Sequence, residues 1–233
     1  MKKLFFAGLA LIYVLTGYSQ SAEKNLQTRN QSGFHGVRVS GGIDLYISSG
    51  KESVAVTAAN NEIRDHIITE VVNGILLIHL EENWQPDLSN PRMKAYVTVS
   101  SLDDLEASGG GDIYITNELK TDKLTVHLSG GGNMEGKINA HQLSIRQSGG
   151  SNVKLTGNVN NLEVNASGGG NLEGFGLVTE YASINASGGS NSELTVNKEL
   201  RVMTSGGSDI NYKGTAKVLE VKTSGGGSLN HKD

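Results

Sequence analysis

The sequence predicts an all-β fold: a right-handed parallel β-helix with coils of about 19 residues, preceded by a β-rich N-terminal capping region. Three observations carry this. Ser-Gly-Gly recurs at Ser40, Ser108, Ser129, Ser148, Ser167, Ser187, Ser205 and Ser224, and from Ser108 on the steps are 21, 19, 19, 20, 18 and 19 residues. In phase with it, an apolar or small residue stands five positions before each serine (Leu124, Leu143, Leu162, Ala182, Leu200, Leu219) and another three before (Val126, Ile145, Val164, Ile184, Val202, Val221). The residues between are mostly polar, so the alternation has the period of two that belongs to strands, not the three-and-four spacing of a helix. One such coil cannot bury its apolar side, whereas stacked coils bury a continuous core.

The elements follow in order. Lys2 and Lys3, the apolar run Leu4 to Leu15, and small residues Gly17 and Ser19 read as a signal peptide over 1–19, cleaved before Gln20. No cysteine follows the run, so a lipid anchor is not expected, and after cleavage no transmembrane segment is expected. Residues 20–33 are polar and read as a disordered linker. Residues 34–101 are β-rich: Val37 to Ile47 resembles one corner of the later repeat, Val54-Ala55-Val56 is a strand, Asn60 to Asp65 a helix or turn, and Asn73-Gly74 a hairpin turn between Ile67–Val72 and Ile75–Leu80. Tyr96 to Val99 is a further strand, and the region is the candidate cap over the first coil. Glu81 to Pro91 holds the single tryptophan and both prolines and reads as a loop. Residues 102–233 are the solenoid, with 34–229 as one domain.

The corners read as architecture. Gly41 and Gly42, Gly109 and Gly110, Gly130 and Gly131, Gly149 and Gly150, Gly168 and Gly169, Gly188 and Gly189, and Gly206 and Gly207 are expected to supply positive φ and close backbone approach. Asp44, Asp112, Asn133, Asn152, Asn171, Asn191 and Asp209 follow them; Asp and Asn tolerate unusual φ, and stacked Asn side chains can form an amide ladder.

Composition narrows the function. The net charge is −4 and aromatic content 5%, which argues against nucleic-acid binding. With no cysteine, an exported chain must be held by packing and hydrogen bonds alone. Calcium wants charged oxygens, yet Asn dominates the corners; zinc has no cysteine and no paired histidines to bind. No metal or cofactor is expected. Ser-Gly-Gly recurs in every coil, so it is not a nucleophile elbow, and no phosphate loop follows it.

Ser-Gly-Gly-Ile-Asp-Leu at 40–45 and the later Ser-Gly-Gly-x-Asp/Asn corners resemble the auto-transporter adhesin family with the "head GIN" domain, common in Bacteroidetes. Gly42-Ile43-Asp44 matches the Gly-Ile-Asn of that name with Asp for Asn. The resemblance spans about Phe34 to Leu229 and implies an exported, non-enzymatic β-helical adhesin, in the periplasm or at the cell surface of a Gram-negative bacterium. It supplies no catalytic residues. After Leu229 there is no run of amphipathic strands, so a self-translocating barrel is not expected from these residues.

The candidate binding surface is the outward column His127, Arg146, Asn165 and Asn185, continued by Met203 and Lys222, a polar ladder for a glycan or a cell-surface protein. Trp84, in an acidic loop, is a second candidate for carbohydrate stacking. Arg146 with Glu163 and Lys222 with Glu220 are expected as cross-coil ion pairs. Two alternatives stand beside adhesion. One is a polysaccharide-active enzyme, which needs two facing carboxylates. The other is self-assembly, because the last coil, Gly227 to His231, offers an open edge to another chain.

Overall fold

Each repeat becomes one long, bent strand that ends in its Ser-Gly-Gly corner. The computed structural model describes residues 25–84 and 91–233. Its strands are β1 (Gln27–Arg29), β2 (Gly36–Val39), β3 (Asp44–Ser49) and β4 (Ser53–Thr57). A short helix α1 (Asn61–Asp65) precedes β5 (Ile67–Val72), β6 (Ile75–Leu80), β7 (Lys94–Val99) and β8 (Asp104–Gly109). The long strands are β9 (Ile113–Gly130), β10 (Asn133–Gly149), β11 (Asn152–Gly168), β12 (Asn171–Gly188) and β13 (Asn191–Gly206). Then come β14 (Asp209–Lys213), β15 (Lys217–Gly225) and β16 (Ser228–His231). All sixteen belong to one hydrogen-bonded sheet wound into a solenoid. The predicted signal peptide and residues 85–90 of the loop lie outside the described residues.

The coils stack in parallel and in register. Ser108, Ser129, Ser148, Ser167, Ser187, Ser205 and Ser224 pair successively, and so do the apolar columns beneath them. Val126, Ile145, Val164, Ile184 and Val202 are fully buried in one axial line. The spread in coil length is absorbed within the coils, at register shifts between Glu135 and Lys137, Lys154 and Gly157, Gly174 and Val178, Thr179 and Tyr181, and Leu200 and Arg201. The Ser-Gly-Gly corners themselves stay in register from Ser108 to Ser224.

The N-terminal region is more closely tied to the solenoid than a separate cap. Residues of β2, the Ser40-Gly41-Gly42 corner and β3 make a coil of the same kind, paired in parallel with β8 and β9. On its other side β2 pairs with β6 and β3 with β7, so α1 and strands β4 to β7 supply the cover of this coil. The cover is antiparallel: β4 lies on β7, and β5 and β6 form the expected hairpin. Asn73 and Gly74 both have positive φ, 51° and 77°, as a primed two-residue turn requires. Asn60 caps α1, its Oδ1 accepting the Ile63 N–H at 2.8 Å.

Two expectations are corrected. The expected linker is ordered from residue 25 on: Gln27–Arg29 form β1, antiparallel to β4. The Arg29 guanidinium donates to the carbonyls of Arg64 and Ile67 at 3.2 and 3.1 Å, and Gln31 Nε2 donates to Thr69 O at 2.7 Å. A polar sequence is ordered here because a neighbouring edge offers it unpaired backbone. Leu219 and Val221 continue the core columns in sequence, yet they are 39% and 47% exposed. Val221 pairs with Val202 in register, but no further coil covers it among the described residues. A bulge at Leu200/Arg201 shifts Leu219 out and puts Val218 against Leu200.

Candidate functional site

The corner builds the first feature. Backbone N–H groups link successive corners: Gly131 to Gly109 O, Gly150 to Gly130 O and Gly169 to Gly149 O, at 2.9 to 3.0 Å. The side chains after them form the expected amide ladder. Asn133 donates to Asp112 Oδ1 from backbone and side chain at 2.8 and 2.9 Å. Asn152 then donates to Asn133, Asn171 to Asn152 and Asn191 to Asn171, at 3.0, 3.0 and 3.2 Å. The Oδ1 atoms of Asp112, Asn133, Asn152 and Asn171 are thereby engaged. Among the described residues no three His, Cys, Asp or Glu side chains are gathered to hold a metal ion.

The glycine pair divides by geometry. The first glycine of each later corner has positive φ, and an added methyl would collide with the carbonyl of the coil below; for Gly168 the contact is 2.5 Å to Gly149 O. The second, as at Gly131, Gly150, Gly169 and Gly189, faces open space without left-handed backbone. The expectation that both glycines serve close approach holds in these later coils only for the first.

Beside the corners runs an open groove of about 670 Å³. His127, Arg146, Asn165 and Asn185 all line it, together with Met203, Lys222, Glu106 and the serine column from Ser129 to Ser224. Register explains this: Arg38 pairs with Glu106, Glu106 with His127, and the column continues strand by strand to Lys222. Neighbouring members are spaced about 4.8 Å apart. Arg38 and Glu106 escaped the sequence reading, although each stands two residues before a corner serine, as His127 does.

The charges are arranged differently from the expected cross-coil pairs. Glu163 Oε1 accepts Asn165 Nδ2 at 2.9 Å instead of meeting Arg146. Arg146, exposed in mid-groove, makes no hydrogen bond or ion pair among the described residues. Lys222 does meet Glu220, at 2.5 Å, but within one strand. That hydrogen bond, then the Lys222 charge, and more weakly Arg201, hold the Glu220 carboxyl below its usual range. At the near end Arg38 binds Asp104 and Glu106 at 3.0 and 3.1 Å.

Asn185 Nδ2 donates to Asn165 Oδ1 at 3.0 Å, but the next residue in the column is Met203, which has no donor. Asn185 Oδ1 is left buried without a partner among the described residues. Met203→Asn should extend this ladder by one bond. The expected gain is about 1 kcal/mol, read as a higher urea midpoint at unchanged slope; no gain would mean that water already satisfies that oxygen.

Trp84 lies elsewhere, at the cap. Its ring packs against the core and stacks on His66 with centroids 4.3 Å apart, and His66 Nδ1 is 2.6 Å from Glu81. An unpredicted feature is a tyrosine stack: Tyr96, Tyr46 and Tyr114, with centroids 5.0 and 4.8 Å apart. Tyr46 and Tyr114 each stand six residues after a corner serine, a signal in the sequence; Tyr96 lies in the cover and has no such phase. Burial, then the hydrogen bond to Asp112, pushes the Tyr114 phenol up to about 12.

Among the described residues no helix is long and apolar enough to cross a membrane. A comparison with curated proteins gave no match. Solved structures do resemble the chain. A Bacteroides fragilis protein named "putative adhesin" has a TM-score of 0.83 at 21% identity, covering 90% of this chain and 98% of its own. A Parabacteroides distasonis protein named "putative lipid binding protein" has 0.72 at 20%, covering 91% and 98%. A "putative adhesin" of Parabacteroides merdae has 0.67 at 18%, covering 91% and 98%. At these identities the likeness establishes the fold. A family profile matches residues 33–216, most of the chain and nearly all of its coils. The chain belongs to the family described as "Putative auto-transporter adhesin, head GIN domain".

Proposed function

We propose that this chain is an exported, non-enzymatic adhesin module that holds an extended glycan along its groove. One observation carries the reading: His127, Arg146, Asn165 and Asn185 line a single groove along the solenoid axis, and Arg146 stands in it unpaired among the described residues. The regular rise of the coils offers a donor or acceptor at each step, which suits a repeating, hydroxyl-rich polymer through many weak contacts. A glycosidase needs two carboxylates across the bond it cuts. Among the described residues Glu106 is the one carboxylate lining this groove, and Arg38 already engages it.

The test is binding of the chain from Gln20 to Asp233 to a broad glycan array, with and without calcium. A saturable, calcium-independent hit is expected, weakened about tenfold by Arg146→Ala, the loss of one charge-assisted contact. A hit lost on Trp84→Ala but kept in Arg146→Ala would move the site to the cap loop. Calcium-dependent binding would overturn the reading of the Asn ladder, and no hit in either condition would overturn the glycan reading.

A further inference from the structure

We infer that the groove selects acidic glycans, seating a carboxylate- or sulfate-bearing sugar unit on Arg146 and an uncharged unit over Glu106. The inference rests on the groove holding a glycan, and narrows which glycans it holds. The charges of the outward column decide it. From the cap side the column runs Arg38, Glu106, His127, Arg146, Asn165, Asn185. Arg38 binds both Asp104 and Glu106, at 3.0 and 3.1 Å, so one guanidinium is shared by two carboxylates and this end stays negative.

Arg146 has the opposite standing. Glu163, the carboxylate of the next coil that could have met it, accepts Asn165 Nδ2 at 2.9 Å. Asn165 Oδ1 in turn accepts Asn185 Nδ2 at 3.0 Å, so these neighbours satisfy one another. Lys222, farther along, is held by Glu220 at 2.5 Å. Among the described residues Arg146 is thus the one permanent cation of the column that has no anion. A guanidinium presents a planar fork of donors that matches two oxygens of a carboxylate or sulfate, and such a charged pair is stronger than its bonds to neutral hydroxyls. His127, one coil below, and Ser148, two residues on, line the same stretch and carry further N–H and O–H donors. The chain as a whole carries −4, so its overall field does not draw an acidic polymer in. The attraction is local to Arg146, and Glu106, two steps of about 4.8 Å away, opposes a second anion there. A polymer in which acidic and neutral units alternate suits this pattern better than a uniformly acidic one.

A broad array of acidic and neutral glycans tests this, read with the chain from Gln20 to Asp233 and its Arg146→Gln and Glu106→Gln variants. Hits are expected on members that carry a carboxylate, such as hyaluronan, or a sulfate, such as keratan sulfate. These should exceed uniformly acidic polygalacturonate, with dextran and amylose near background. Arg146→Gln should weaken the acidic hits about tenfold, the loss of one charge-assisted contact. Glu106→Gln should strengthen them about twofold or more, by removing a like charge. Reducing the carboxyls of a bound polymer to alcohols should cost the parent what Arg146→Gln costs, and cost that variant nothing further. Circular dichroism of each variant separates lost binding from lost folding. Neutral glycans bound as tightly as acidic ones would overturn this inference and leave the glycan reading standing. Polygalacturonate bound above the alternating polymers would overturn the neutral unit over Glu106. No glycan bound at all would overturn both the inference and the reading beneath it.

Discussion

Gly168→Ala is expected to destabilise the protein by about 3 kcal/mol or more, whereas Gly169→Ala, one residue on, should stay within about 0.5 kcal/mol of the parent. Gly168 has φ +104°, and a methyl there would stand 2.5 Å from Gly149 O and 3.0 Å from its N. Those atoms are backbone and cannot swing away. They also sit beside the hydrogen bond from Gly169 N–H to Gly149 O, at 3.0 Å, that joins the two coils. The methyl must therefore push neighbouring coils apart or force the corner into a strained conformation. At Gly169 an added methyl meets nothing within 4 Å. Urea unfolding of the two variants side by side reads the difference. Equal losses would mean that glycine serves chain flexibility at both positions; no loss at Gly168 would mean that the corner relaxes freely.

Ile184→Ala should cost about 3 kcal/mol and Ile184→Val about 1 kcal/mol. Ile184 is fully buried in β12, paired with Val164 below and Val202 above. Both neighbours are held by their own coils and cannot collapse into the space, so truncation leaves a cavity within the column. A stacked fold transmits such a defect only to nearest neighbours. The denaturation curve of Ile184→Ala is accordingly expected to broaden as the coils on either side uncouple. A loss under 1 kcal/mol with a sharp transition would show that the coils reseat around the gap.

The solenoid was legible because its signal is local and repeated. A serine two residues after His127 and the same offset after Arg146, Asn165 and Asn185 sufficed to place these four side chains in one groove. In-phase coils can stack only in register, so a position within the repeat becomes a position in space. The Asn133–Asn191 ladder follows from the same logic, and Asn73-Gly74 announced its hairpin through the φ values such a turn demands. What the repeat left undecided depends on which coil lies above or beside a residue. Val221 has the sequence environment of Val202, but no coil covers it among the described residues. Gln27–Arg29 has no strand pattern, yet β4 offers it an edge. Among the described residues Arg146 has no charge partner, because Glu163 turns to Asn165 two residues along its own strand. The two glycines of a corner are identical in sequence, and only the carbonyl of the coil below makes one indispensable. The sequence by itself therefore determined the coil, its corner and its inward and outward faces, through alternation and backbone preference. Ends and covers were decided by the tertiary structure, because they are contacts between segments whose separation in sequence carries no period.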